Sequence, residues 1–123
     1  MNASTLALTL LSVTIAALAQ ITLKIGVSTQ TIREALASSP VDFFVALALN
    51  PYVIAGFALY GLGAMSWVVV LTRVDVSQAY PFVGLSILLA FGLGHFLLGE
   101  PLSMIRIAGM LLVVSGIVLV AQS

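Results

Sequence analysis

The stretch Ser77–Gly116, SQAYPFVGLSILLAFGLGHFLLGEPLSMIRIAGMLLVVSG, contains two almost uncharged apolar segments that meet at the polar tripeptide Gly99-Glu100-Pro101. Each segment is long enough to cross a bilayer, which takes roughly 20 apolar residues for a hydrocarbon core of about 30 Å. A connection this short permits only a tight turn between them. The stretch therefore predicts a helical hairpin within a membrane.

The composition of the whole chain also favours a lipid environment. Of its 123 residues, 62% are hydrophobic and only 7% are charged, whereas a soluble domain carries roughly 25% charged residues. Because lipid offers the backbone no hydrogen-bond partner, a spanning segment must be a helix or part of a closed barrel. Barrel strands alternate apolar and polar residues, and these runs are apolar all round. We therefore expect an all-α membrane protein.

The apolar runs predict a single domain, residues 1–123, built as a four-helix transmembrane bundle. The spans are expected at about residues 5–24, 51–72, 76–98 and 102–120. Small residues recur in the later spans, as is typical of helices that associate in lipid by close packing. Four spans place both termini on one side of the membrane. The distribution of Lys and Arg favours a cytoplasmic location for the loops on the other side, by a small margin.

The segment between the first two spans is more polar. Thr31-Ile32-Arg33-Glu34 has the spacing of a capping box, which predicts a short helical segment lying in the membrane interface. Ser39-Pro40 and Asn50-Pro51 each predict a further helix start, because proline is favoured at the first helical position.

No catalytic constellation is visible in the sequence. The chain has one histidine, no cysteine and a formal net charge of zero, and its glycines are not spaced as a phosphate-binding loop. We therefore expect no enzyme, no cofactor and no metal site, and no nucleic acid as a partner.

Polar residues inside the spans are the candidates for function, because in lipid they are costly unless they face protein or water. Ser12, Thr14 and Gln20 interrupt the first span, and the wider set comprises Gln20, Lys24, Tyr60, Gln78, Tyr80, Ser86, His95 and Glu100. Such a set predicts a polar pathway inside an apolar bundle. Four short helices enclose little volume, so a pathway of useful size favours two protomers.

Three motifs carry a resemblance to a known family. Ser77-Gln78-Ala79-Tyr80-Pro81, Gly99-Glu100-Pro101 and the segment Gly109–Gly116 resemble the small-multidrug-resistance-like branch of the drug/metabolite transporter superfamily. The resemblance covers all four spans. Within that branch the chain is most similar to the subunits of the aminoarabinose–undecaprenyl-phosphate flippase. Their Gln-x-x-x-Lys pattern is matched by Gln20 and Lys24, and their Ala-Tyr-Pro by Ala79-Tyr80-Pro81.

Two further matches and two departures complete the comparison. The late tryptophan of span two is matched by Trp67, and the acidic residue before proline by Glu100. Gly84 and Ser86 stand where the family has serine and asparagine. The first 24 residues also lack the embedded glutamate of the drug–proton exporters. That departure argues against proton-coupled drug export, because a neutral Gln20 cannot exchange a proton for a cation.

The resemblance implies a flippase that moves a polyprenyl-phosphate-linked sugar across the bacterial inner membrane, as a homodimer or beside a similar four-span subunit. Lys24 is the first candidate for the phosphate and Arg106 the second. The full set of implied substrate-binding residues is Lys24, Gln20, Tyr80, Ser86, Glu100, Trp67, Tyr60 and Arg106. Pro81 and Gly84 are expected to form a hinge, and Gly109 and Gly116 a dimer interface.

Other interpretations remain open at this point. The chain can also be an exporter of small cationic compounds that couples through Glu100 or His95, or a membrane scaffold subunit that transports nothing. Among the single residues, Gln20 and Lys24 can simply mark the membrane interface, with Lys24 snorkelling. Tyr60 and Trp67 can be packing aromatics, and Glu100 can pair with Arg106 at a helix end.

Overall fold

A computed structural model describes residues 2–122 of the chain. The helices are α1 (Ala3–Val27), α2 (Gln30–Ser38), α3 (Pro40–Leu49), α4 (Pro51–Leu71), α5 (Val76–Ala79), α6 (Val83–Leu98) and α7 (Met104–Gln122), with a 3-10 turn at Tyr80–Phe82. The predicted all-α class is confirmed. The observed ends of α1 and α4 differ from the predicted spans by at most three residues.

Three helical segments are long and apolar enough to cross a membrane: Ala3–Val27, Pro51–Leu71 and Val76–Leu98. The fourth predicted span coincides with α7, whose apolar part, Met104–Val120, is shorter than these three. The segment between the first two spans is a helical pair, the amphipathic α2 followed by the apolar α3.

The helix starts at Ser39-Pro40 and Asn50-Pro51 are confirmed. The Ser39 hydroxyl accepts a hydrogen bond from the Asp42 amide at 3.1 Å. The Asn50 Oδ1 atom accepts from the amides of Tyr52 at 2.9 Å and Val53 at 3.1 Å. In each case the cap satisfies amides that have no partner inside the helix.

The capping box predicted at Thr31 is wrong. The N-cap of α2 is Thr29, whose hydroxyl accepts from the Ile32 amide, so the helix begins at Gln30. Glu34 then lies within the helix, where its carboxylate accepts a hydrogen bond from Gln30 Nε2 at 2.9 Å. Both threonines stand three residues before an amide that a cap can satisfy, and the structure uses the earlier one.

Pro81 interrupts the third span. Helix α5 ends at Ala79, the 3-10 turn follows, and α6 begins at Val83. Proline has no amide to donate to the carbonyl four residues back, so the α-helical pattern stops there.

Helix α1 is the centre of the molecule, packed along α4 and against α6. Glycines allow the close approach of α4. A Cβ atom on Gly56 would lie 2.6 Å from Leu23 Cγ, and one on Gly63 would lie 3.3 Å from Ile15 Cγ2. The small residues of the second span were predicted to pack against another helix. Gly56 and Gly63 do so, whereas Gly61 faces open space.

The buried and exposed residues are distributed as a lipid environment requires. The buried face of α1 carries Thr5, Thr9 and Ser12 beside small and apolar residues. Large apolar side chains cover the outside instead, for example Phe96 and Ile105, which are 82% and 85% exposed. A soluble protein rarely leaves so continuous an apolar surface uncovered. The outer surface is therefore suited to lipid.

Candidate functional site

A crevice of about 200 Å³ lies between α1, α4 and α6. Helix α1 contributes Ser12, Val13 and Ala16 to its walls, α4 contributes Tyr60 and Trp67 with small residues, and α6 contributes Val83 and Ser86. Gly63 of α4 also lines the crevice, where α1 and α4 approach closely. A Cβ atom on Gly63 would lie 3.6 Å from the Ser12 carbonyl oxygen.

Ser12 is the most unusual residue of this crevice. Its side chain is only 3% exposed, and its Oγ atom has no hydrogen-bond partner in the protein. Thr14 and Thr22 of the same helix donate their hydroxyl protons to the carbonyl four residues back, at 2.7 and 2.8 Å. A buried hydroxyl without a partner is costly. Ser12 therefore leaves a hydrogen-bond donor and acceptor unused within the wall of the crevice.

Tyr60 and Gln20 lie together at one end of the crevice. Gln20 Nε2 donates a hydrogen bond to the Tyr60 hydroxyl oxygen, and Tyr60 lines the crevice. Because the tyrosine oxygen accepts this bond, its own O–H proton remains free to donate. Both residues were predicted from the sequence to face the interior of the bundle. The structure brings them into contact although they are forty residues apart in the chain.

Ser86 and Trp67 also line the crevice. The Ser86 hydroxyl donates to the Val83 carbonyl oxygen at 2.6 Å, so its lone pairs remain available to accept. Trp67 is half-buried and supplies an aromatic wall. Four predicted substrate-binding residues, Gln20, Tyr60, Trp67 and Ser86, thus lie in or directly beside one cavity.

Lys24 lies outside the crevice, three four-residue steps after Ser12 on α1. Ser12, Ala16, Gln20 and Lys24 form a row that winds around the helix, so each residue neighbours the next while Lys24 faces about 120° away from Ser12. At 1.5 Å per residue, Lys24 is about 18 Å along the helix axis from Ser12. The Lys24 side chain is exposed, and among residues 2–122 no hydrogen bond or ion pair engages its ammonium group.

Tyr80, Pro81 and Gly84 are placed elsewhere. They line a separate cavity between α6 and α7, and Tyr80 is 62% exposed. Gly84 is packed against Ile117 of α7, so closely that a Cβ atom on Gly84 would collide with the isoleucine side chain. The structure therefore separates Tyr80 from the crevice that holds Tyr60 and Ser86.

Glu100 and Arg106 lie at the connection between α6 and α7. Gly99 adopts the left-handed conformation there, with φ of 67°, and the Glu100 amide donates to the Gly94 carbonyl at 3.1 Å. Arg106 Nη1 donates to the Pro101 carbonyl at 2.9 Å. No ion pair joins Glu100 to Arg106 within the described part of the chain. Neither residue borders the crevice.

Gly109 and Gly116 lie on α7 with open space in front of them. Both are exposed, and Gly116 also borders the α6–α7 cavity. They are seven residues apart and therefore share one helix face.

In the sequence, Ser12 is visible only as an interruption of an apolar run. Its four-residue spacing from Ala16, and that of Ala16 from Gln20, was the signal that these residues are neighbours on one helix. Nothing in the sequence indicated that Ser12, alone among its neighbours, leaves its hydroxyl unbonded. Among residues 2–122, no group of three His, Asp or Glu side chains is placed to hold a metal ion.

Three long apolar helices, glycine-mediated packing and an apolar outer surface are consistent with a multi-pass helical membrane protein, and a small crevice lies between its helices. Relatives place it in a particular family of such proteins. A Pseudomonas aeruginosa protein named as the 4-amino-4-deoxy-L-arabinose-phosphoundecaprenol flippase subunit ArnE is 34% identical over 82 residues, covering 67% of this chain and 71% of the relative. The chain belongs to this family of flippase subunits.

Other relatives carry the same or a paired name. An ArnE subunit of Pseudomonas fluorescens is 38% identical over 69 residues, covering 56% of this chain and 60% of the relative. A subunit of Shewanella sediminis named ArnF, of the same flippase, is 38% identical over 80 residues, covering 63% of this chain and 55% of the relative. No family model matches the chain, and no solved structure matches it.

Proposed function

We propose that this protein is a subunit of a flippase that moves the polar head group of a polyprenyl-phosphate-linked sugar across the bacterial inner membrane. One observation carries the proposal: a crevice inside an apolar bundle holds a buried hydroxyl, on Ser12, that the protein itself leaves without a partner. The names of the relatives supply the class of substrate.

The crevice matches the chemistry of a sugar. Sugar hydroxyl and amino groups both donate and accept hydrogen bonds, and the crevice offers the Ser12 hydroxyl, the free Tyr60 O–H and the lone pairs of Ser86. These groups stand in an apolar surrounding, where leaving a polar head group unpaired is costly. The sugar is therefore held by hydrogen bonds that replace those it makes with water.

Lys24 is proposed to attract the phosphate before the sugar enters the crevice. The Cα atoms of Lys24 and Ser12 lie about 18 Å apart along the axis of α1, too far for one small head group to bind both side chains at once. Gln20 stands between the two positions and already bonds Tyr60. We therefore propose two successive positions for the head group, one at Lys24 and one in the crevice.

The full topology belongs to the same proposal. Helix α7 is proposed as the fourth span, since its 19 residues fall within the range that crosses a bilayer. The α2–α3 pair is proposed to lie in the interface, because α2 buries Ile32 and exposes Arg33 and Glu34 while the apolar side chains of α3 remain uncovered. The whole chain then forms one membrane domain.

A second subunit is proposed to pack on α7. Gly109 and Gly116 leave the backbone of this helix accessible on one face, and small residues let helices approach in lipid. The paired names ArnE and ArnF among the relatives are compatible with either a second copy or a similar partner.

The function is tested by measuring head-group translocation in proteoliposomes with a polyprenyl-phosphate-linked aminosugar. We expect Lys24→Ala to lower the rate about tenfold to a hundredfold, because a hydrogen bond to a charged group contributes about 1.5–3 kcal/mol. Lys24→Arg should retain most of the rate. Arg33→Ala, which removes a cation from the exposed face of α2, should leave the rate unchanged.

Two outcomes would contradict the proposal in different ways. If wild-type protein translocates no lipid-linked sugar, alone or with a paired subunit, the flippase function is wrong. If the wild type is active and Lys24→Ala is equally active, only the role of Lys24 is wrong.

Subunit contact is tested by a bulky substitution on α7. We expect Gly109→Leu to weaken association, measured by cross-linking in membranes, because the leucine side chain holds the partner helix away. Gly61→Leu is the matched control, since Gly61 also faces open space but lies on α4. Equal cross-linking by Gly109→Leu and wild type would rule out this face as the contact.

A further inference from the structure

The end of α1 is held against the start of α4 by the side chain of Asn50. Its Nδ2 atom donates a hydrogen bond to the Gly26 carbonyl oxygen at 3.1 Å. Its Oδ1 atom accepts from the amides of Tyr52 and Val53 and so caps α4. The two polar atoms of the Asn50 amide group are therefore divided between the two helices, one for each.

Gly26 allows this contact because it has no side chain. It is buried in the last turn of α1. A Cβ atom on Gly26 would lie 2.9 Å from Val53 Cγ2 and 3.0 Å from Asn50 Oδ1. A side chain at this position would therefore push the end of α1 away from α4. We call Gly26 and Asn50 the junction of these two helices.

The Gly26 carbonyl oxygen also accepts a hydrogen bond from the Thr29 hydroxyl, at 3.1 Å. Thr29 is the N-cap of α2, so the same oxygen ties the start of α2 to the end of α1. Thr29 is three residues from Gly26 in the chain, whereas Asn50 is 24 residues away. Of these two bonds, the one from Asn50 therefore fixes the end of α1 relative to a distant helix.

Lys24 lies in the turn that the junction holds. Its carbonyl oxygen accepts from the Ser28 amide at 3.1 Å and from the Ser28 hydroxyl at 2.6 Å, which closes this turn around Gly26. On the other side of Lys24, Leu23 packs against Gly56 of α4. A helix end without tertiary contacts frays. The junction therefore keeps the backbone of Lys24 helical and docked on α4.

We infer that Asn50 is a positioning residue for Lys24, an inference that rests on the proposed flippase function. Asn50 acts through the backbone, because its bond to Gly26 fixes the turn that carries the Lys24 ammonium group. Without this bond the turn frays, and the ammonium group samples more positions. Capture of the phosphate then costs more conformational entropy, whereas the later passage of the head group into the crevice is unchanged.

The test is a double-mutant cycle on head-group translocation in proteoliposomes, measured over a series of contents of a polyprenyl-phosphate-linked aminosugar. Asn50→Ser is the main variant, because serine caps a helix as well as asparagine does but has no amide to donate to Gly26. We expect it to raise the KM about threefold to tenfold, the value of one hydrogen bond, with kcat unchanged. In the Lys24→Ala background the same substitution should change the KM by less than about twofold.

Two further variants separate positioning from folding. Gly26→Ala leaves the cap of α4 in place but pushes α1 away, because its methyl group meets Val53, and it should raise the KM as Asn50→Ser does. Ser39→Ala is the matched control, since it removes the cap of a different helix, α3, and it should leave the KM unchanged. Amide hydrogen exchange at residues 26–28 should be faster in Asn50→Ser and Gly26→Ala than in the wild type and Ser39→Ala.

Each contrary result has its own meaning. Equal exchange at residues 26–28 in Asn50→Ser and the wild type would show that the junction does not hold this turn. A KM that rises equally with and without Lys24, or a fall in kcat alone, would show that Asn50 serves folding. Either result overturns the positioning role and leaves the flippase function intact. Failure of the wild-type protein to translocate any lipid-linked sugar, alone or with a paired subunit, would remove the proposed function itself.

Discussion

At the scale of single residues, Ser12 and the Gln20–Tyr60 pair carry the account of the crevice. A buried hydroxyl without a partner costs about 1–3 kcal/mol, and Ser12 is such a group. A threonine or serine in a helix can remove this cost by bonding the carbonyl four residues back, as Thr14 does. Ser12 does not, so this cost is left uncompensated within the protein.

Replacing Ser12 should therefore change the stability of the protein and its binding of the head group in opposite directions. We expect Ser12→Ala to raise the free energy of unfolding by up to about 1 kcal/mol, because it removes an unsatisfied polar group. The same substitution should weaken head-group binding about threefold to tenfold, the value of one hydrogen bond. Chemical unfolding in detergent and lipid-binding measurements check the two effects.

The control for Ser12→Ala is Thr14→Ala on the same helix. Thr14 is exposed and its hydroxyl is already bonded, so binding should not change. A loss of stability in Ser12→Ala without any loss of binding would show that the hydroxyl serves folding instead.

Residue-scale prediction from the sequence was partial. Gln20, Tyr60, Trp67 and Ser86 could be recognised as polar or aromatic residues inside spans, and they do meet at one cavity. Tyr80 could not be separated from them, because its position depends on how α6 turns after the 3-10 segment. Contacts between distant parts of the chain decide this, and local sequence patterns do not contain them.

At the scale of helices, the sequence predicted helix starts well where a side chain caps the helix. It predicted the packing of one helix against another less well. Ser39-Pro40 and Asn50-Pro51 start helices as expected, because cap and proline act within three residues of each other. The start of α2 was misplaced by two residues, since Thr29 and Thr31 are both acceptable caps. The open space between α6 and α7 could not be foreseen from glycine spacing alone.

The contact between α6 and α7 makes a prediction about two glycines of one helix. We expect Gly84→Ala to lower the free energy of unfolding by about 1–3 kcal/mol, because the added methyl group collides with Ile117. Gly92→Ala should instead stabilise by about 0.5–1 kcal/mol, since Gly92 faces open space within α6. Unfolding curves of the two variants check the difference. Equal effects would mean that α7 does not rest on Gly84.

At the scale of the whole molecule, many large apolar side chains are exposed on the outer surface, whereas the buried polar residues carry hydroxyl groups. The outer surfaces of α4, α6 and α7 are covered by residues such as Leu62, Phe96 and Leu112. The inner face of α1 carries Thr5, Thr9 and Ser12. Composition alone indicated the lipid environment, because hydropathy needs no tertiary contact. The crevice itself requires the packing of three helices and became visible only in the structure.

The central claim is that water and a polar head group reach the crevice inside the bundle. The chain contains no cysteine, so single cysteines can be introduced without background. Ala64→Cys places a thiol on the crevice wall, and Leu62→Cys places one on the exposed apolar surface of the same helix, two residues away. Only a thiolate reacts, and it forms where water is present.

The decisive measurement is the rate at which a membrane-impermeant thiol reagent modifies these two cysteines in proteoliposomes. We expect Ala64→Cys to react much faster than Leu62→Cys, and a polyprenyl-phosphate-linked aminosugar to protect Ala64→Cys alone. Equally slow reaction at both positions, with no protection by the lipid-linked sugar, would contradict a water-filled crevice that receives the head group.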